Sequence, residues 1–118
     1  MAGASALAVC AGFGAIPSFA QTVESLRIFV PAAPGGGWDQ TARSMENALR
    51  GTQLIKTAQI TNVGGAGGAV GLPQFINQWK GQGNSLMVAG MVMVGSLIAN
   101  KSQFNLSQVC LLYTSPSP

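Results

Sequence analysis

The sequence has 118 residues, 47% of them apolar and only 8% charged, against roughly a quarter charged in an ordinary soluble domain. Its six Lys/Arg and three Asp/Glu give a formal net charge of +3, but the basic residues stand singly, with no run to follow a phosphate backbone, which argues against nucleic-acid binding. The absence of His excludes a His triad, a His general base and a His metal ligand within the chain, and three carboxylates (Glu24, Asp39, Glu46) leave little for a metal cage or an acid/base pair, so no catalytic residue, metal or cofactor is expected.

Residues 1–20 carry no charge. A short apolar run, Ala6–Ile16, is followed by Pro17-Ser18-Phe19-Ala20, and the small residues Ser18 and Ala20 fit the positions before a secretory cleavage site. The run is too short to span a bilayer as a helix. Residues 1–20 are therefore expected to be a signal peptide without the usual basic start, which places the mature chain in the periplasm. Cleavage would remove Cys10 and leave Cys110 alone, so no internal disulfide is available.

From Leu26 onward one pattern repeats three times: an extended apolar run, a turn of glycine or other small residues, then a segment of helical period. The first run, Leu26–Val30, is closed by Pro31, which lacks a ladder donor, and leads to the turn Ala32-Ala33-Pro34-Gly35-Gly36-Gly37. Trp38, Ala42, Met45 and Leu49 then draw one apolar stripe on a helix, with Glu46 and Arg50 an i,i+4 pair and Gly51 at the C-terminal cap position. The second run, Ala58–Val63, leads to Gly64-Gly65-Ala66-Gly67-Gly68. The helix after it carries Leu72, Phe75, Ile76 and Trp79 on one face, with Pro73 in its first turn. The third unit reads as a strand over 85–90, small and apolar residues to Gly95, and a short helix over 96–100, with Met87, Met91 and Met93 assigned to the core and a ligand-facing role for Met91 to Met93 as the second reading. The closing stretch, 110–118, has no periodicity and two terminal prolines, and reads as an unrelated tail of the kind a joined adaptor sequence would encode.

Strand, turn and helix in this succession predict an α/β fold, a parallel βαβαβ sheet covered on both faces. All strand-to-helix turns then lie at the carboxyl edge, where open α/β sheets bind ligands. The two glycine turns, 35–37 and 64–68, should lie side by side there. Glycines before a helix N-terminus let an anion reach unpaired backbone N–H groups without a side chain in the way. Two such turns make an anion pocket that needs no Lys or Arg. Neither turn completes a phosphate fingerprint: no glycine is followed by Lys, and Gly65-Ala66-Gly67-Gly68-Ala69-Val70 places its last glycine, Gly71, one residue late.

The segment Phe29-Val30-Pro31-Ala32-Ala33-Pro34-Gly35-Gly36-Gly37-Trp38-Asp39-Gln40-Thr41-Ala42-Arg43, followed by Thr61-Asn62-Val63-Gly64-Gly65-Ala66-Gly67-Gly68-Ala69-Val70-Gly71, closely resembles the extracytoplasmic solute-binding proteins of tripartite tricarboxylate transporters, the TctC or Bug family. The resemblance runs from about Leu26 to Val109. It implies that 21–109 is part of the first lobe of a two-lobed periplasmic-binding-protein-like fold, which binds a small organic carboxylate such as a di- or tricarboxylate and delivers it to the membrane subunits of the transporter. Family members often carry Pro where Gly64 stands. The candidate ligand-binding residues are Gly35, Gly36, Gly37, Trp38, Asp39 and Thr41 in the first turn, and Gly64, Gly65, Ala66, Gly67 and Gly68 in the second.

Several of these residues have a second reading. Asp39 also fits a first-turn charge that favours the helix macrodipole, Trp38 a residue packed under the turn, Thr41 a hydroxyl bonded back to its own backbone, and Arg43 a solvated or paired surface charge. The glycine turns also fit plain βα connections. A competing function is that of an α/β enzyme fragment holding a phosphorylated or nucleotide substrate at the same edge.

Overall fold

A computed structural model describes residues 23–112. The expected signal peptide and the tail beyond Leu112 lie outside the described residues. Three parallel strands, β1 (Val23–Val30), β2 (Ile55–Asn62) and β3 (Ser85–Met87), form a sheet of order β2-β1-β3. The helices α1 (Gly37–Gly51), α2 (Gly71–Trp79) and α3 (Met91–Ala99) alternate with them, and single 3₁₀ turns cover Ala66–Gly68 and Leu106–Gln108. This is the α/β βαβαβ arrangement expected from the repeated pattern.

Central placement explains why β1 reads as an unbroken apolar run at its C-terminal end. Ile28 pairs with Ile60 on one side and Leu86 on the other, and Phe29 with Thr61 and Met87. Successive side chains leave opposite faces of the sheet. Leu26, Ile28 and Val30 pack with Ala42 of α1 and Ile55, flanked by Trp38 and Leu49. Phe29 points the other way, with its ring centroid 5.7 Å from that of Phe75 and 5.2 Å from that of Trp79 on α2. Each such fully buried side chain contributes about 1.5–3 kcal/mol of transfer free energy. A second cluster joins Leu72 and Ile76 of α2 to Met93 and Leu97 of α3, with Phe104, Leu106 and Val109 against it. Cys110, Leu111 and Leu112 beyond it are exposed and belong to no element.

Several boundaries differ from the sequence reading. β1 and β2 both begin three residues earlier than their apolar runs, because their polar first halves pair across strands. Lys56 Nζ donates to Glu24 Oε1 at 2.7 Å, and Thr57 Oγ1 to the Glu24 carbonyl at 3.1 Å. Gly51 ends α1 as a helical residue and not as a left-handed cap. Thr52 takes over by donating its hydroxyl to the carbonyls of Ala48 and Leu49, and Gln53 adopts the positive φ (57°) that reverses the chain.

The third unit differs most. β3 spans only 85–87, and the segment from Met91 is already helix. α3 is apolar nearly all round, so its sequence has no period to mark it. Only one side of it is covered: Met93 and Leu97 are buried, while Met91 is 84% exposed, which removes it from the expected methionine core.

Candidate functional site

Both glycine turns leave the sheet at its carboxyl edge, and they touch. A Cβ added to Gly64 would lie 3.3 Å from the backbone nitrogen of Ala33, so the second turn rests directly on the backbone of the first. Val63 reinforces the contact at its base by donating its N–H to the Val30 carbonyl at 2.8 Å.

The first turn is secured by Asp39. Its side chain is 2% exposed, and each carboxylate oxygen has a partner. Oδ2 accepts from the Gly35 N–H at 2.9 Å and from Arg43 Nε at 2.8 Å, and Oδ1 accepts from Asn62 Nδ2 at 3.0 Å. Asn62 also donates to the Ala32 carbonyl at 3.3 Å, so the last residue of β2 fastens the turn at two points. The Arg43 hydrogen bond, then those from Gly35 and Asn62, hold the Asp39 carboxyl at about 2, below its ordinary 3.8, and outweigh the opposing effect of burial. The same bond pushes the Arg43 guanidinium up.

No side chain caps α1 at Gly36. The N–H groups of Gly37, Trp38 and Asp39 therefore have no acceptor among the described residues, as expected of a helix start. Gly35 is different, since its N–H is committed to Asp39, and the Gly36 N–H makes a long 3.4 Å contact with the Ala33 carbonyl.

The second turn has no such side chain. Gly65 stands at φ 138° and Gly68 at φ 94°, and the 3₁₀ turn between them closes with Gly68 donating to the Gly65 carbonyl at 2.9 Å. The N–H groups of Gly65, Ala66 and Gly67 meet no acceptor among the described residues. Its outer tie comes from α3, where the Ser96 hydroxyl donates to the Ala66 carbonyl. The second turn does not run straight into α2. Ala69 and Val70 intervene, and α2 starts at Gly71, whose missing Cβ lets it seat against Pro31 and Phe29. A 3₁₀ turn thus stands where a second helix N-terminus was expected.

Trp38 joins the two halves. It packs against both core clusters, and its indole lies between Gly68 and Gly90. A Cβ on Gly68 would come 3.3 Å from the indole edge and 2.6 Å from the Met93 methyl, and one on Gly90 would come 2.9 Å from the indole nitrogen. Glycine at 68 and at 90 makes the space that the indole fills. Trp38 therefore both packs under the turn and walls the cleft.

The result is an open cleft of ≈ 400 Å³ lined by Pro31, Ala32, Gly37, Trp38, Gly65, Gly67, Gly68 and Val92. Five expected residues line it together: Gly37, Trp38, Gly65, Gly67 and Gly68. Gly35, Gly36, Gly64 and Ala66 belong to the turns without lining the cleft. Asp39 and Thr41 do not line the cleft, and their polar groups are engaged within the first turn and α1. The Asp39 carboxylate is spent on Gly35, Arg43 and Asn62, and the Thr41 hydroxyl donates to the Gly37 carbonyl at 2.9 Å, one helical turn back. Asn62 and Val92 were missed by the sequence reading. Asn at the end of an apolar strand is the available signal for the first, since Asn is depleted in strands, and Val92 falls in the third strand-to-helix connection, which the parallel pattern already places at this edge.

The sequence matches no known family model and no curated protein.

Proposed function

We propose that this chain is the carboxylate-binding part of an extracytoplasmic solute-binding protein, which captures a small organic carboxylate in the periplasm and delivers it to the membrane subunits of a tripartite tricarboxylate transporter. The observation that carries this reading is the convergence of two glycine turns on one cleft, each bringing backbone N–H groups that have no acceptor among the described residues. Amide donors with the positive end of α1 behind them suit an anion.

The chemistry of the lining adds support. Proline, alanine, glycine, tryptophan and valine offer no side chain to carry a proton or attack a bond, which fits capture and release without reaction. The one carboxylate near the turns is already neutralised by its partners, so it does not oppose an anion. Specificity for the carboxylate over its neutral analogue then resides in the amides, and closure of a second lobe over the cleft would complete the capture.

Thermal unfolding of the chain with paired carboxylic acids and their neutral amides tests the proposal. The acids are expected to raise the midpoint in a concentration-dependent way while the amides leave it in place. Equal stabilisation by acid and amide would overturn it.

A further inference from the structure

We infer that the cleft favours a monocarboxylate with a flat apolar body over di- and tricarboxylates. This rests on the carboxylate reading of the two turns and narrows it to a substrate class.

The inference comes from what surrounds the amides. Every side chain in the lining is apolar or an indole: Pro31, Ala32, Trp38 and Val92. None of the six Lys/Arg lines the cleft, and Arg43, the cation nearest in sequence to the first turn, gives its Nε to Asp39. One anionic group can be met by the N–H donors of the turns, but a second or third carboxylate on the same small molecule would face Pro31, Ala32 and the Val92 methyls, with the indole N–H as the one side-chain donor and no cation to replace its water. Burial of an unpaired charge against apolar surface is strongly unfavourable. An apolar ring placed there gains contact area instead, and Trp38, held between Gly68 and Gly90, supplies a fixed flat wall for it. The cleft volume of ≈ 400 Å³ falls in the range of small-ligand sites, which is about 300–1,000 Å³.

Val92 gives a direct handle on this wall. It is 67% exposed at the start of α3, so a polar replacement there leaves the core untouched.

The experiment is isothermal titration of the chain with benzoate, benzamide, acetate and propane-1,2,3-tricarboxylate, repeated on Val92→Lys after its helical signal has been checked by circular dichroism. Benzoate is expected to bind at least about tenfold more tightly than either acetate or the tricarboxylate, the size of effect a hydrophobic subsite supplies, with benzamide weaker than benzoate. Val92→Lys is expected to bring the tricarboxylate up by about tenfold and to weaken benzoate, whose ring loses the Val92 methyls. If the tricarboxylate equals or exceeds benzoate while benzamide stays weak, the apolar-body inference is overturned and the carboxylate reading stands. A tricarboxylate affinity that does not rise in Val92→Lys overturns the inference in the same way. Equal binding of benzoate and benzamide, or no binding by any of the four, overturns both.

Discussion

The two glycine turns reach the same cleft by different means. The first is fixed by side chains: Asp39 and Asn62 hold it from beneath, and Arg43 completes the carboxylate's partners. The second is fixed by shape, with residues in backbone conformations that favour glycine, a single hydroxyl tie from Ser96, and an indole packed against its missing Cβ atoms. A turn secured by polar side chains is sensitive to the loss of partners and to acid. A turn secured by glycine is sensitive to any added atom. The same contrast explains why one turn gives up an N–H to its own carboxylate while the other keeps its donors unpaired.

The largest expected effect falls on the second turn. Gly68→Ala places a methyl at φ 94° and within 2.6 Å of the Met93 methyl, and the left-handed strain together with overpacking should lower stability by about 2–4 kcal/mol, read as a lower urea midpoint. A loss no larger than that of an exposed helix substitution would break the claim that shape holds this turn. Next is Asn62→Ala, which leaves the Ala32 carbonyl and one Asp39 oxygen without their donor. It should cost about 1–3 kcal/mol by chemical denaturation, and hydrogen exchange should show the first turn loosened while the second is unaffected. Ser96→Ala removes the outer tie of the second turn and should cost only about 0.5–1.5 kcal/mol, the net worth of one exchanged hydrogen bond.

Acid should separate the turns most selectively, through the smallest change. The folded Asp39 carboxyl sits at about 2 against an ordinary 3.8, so the unfolded chain binds the proton more readily in that interval. The stabilisation is fully present above about 3.8 and is lost as pH falls through about 2. Urea midpoints measured from pH 5 to pH 2 should decline for the native sequence. The part of that decline due to Asp39 should vanish in Asp39→Asn, and Gly68→Ala should leave it in place. An identical decline in Asp39→Asn would assign the acid sensitivity elsewhere.

The sheet, its strand-turn-helix succession and the meeting of the two turns were legible in the sequence because they rest on local signals. Pro31 ended its strand, the Trp38–Leu49 stripe marked α1, and Leu72, Phe75, Ile76 and Trp79 marked α2. The misreadings have a common origin in contacts between residues distant along the chain. The polar starts of β1 and β2 are strand through pairing across the ladder, where Val23 meets Ile55 and Ser25 meets Thr57, and the expected helix over 96–100 starts earlier, at Met91, because a helix with no polar face has no period to mark its first turns. At the site, Asp39 could be read as ligand contact or positioning group from its place in the helix. Its partner Asn62, 23 residues on, shows the carboxylate engaged within the fold, which the helix position alone does not reveal.

The strand order also says which part of the molecule should open last. In β1, Arg27, Ile28 and Phe29 are paired on both sides, with β2 and with β3, so each amide is bonded to one neighbouring strand and the other strand closes the sheet on the far side, which leaves them the best protected from solvent. Those residues immediately precede Val30 and Pro31, where the chain enters the cleft. The slowest-exchanging amides of the protein should therefore lie within a few residues of the glycine turns. Slow breathing of the fold and access to the cleft would then occur on separate timescales, the first set by the sheet and the second by the turns at its edge.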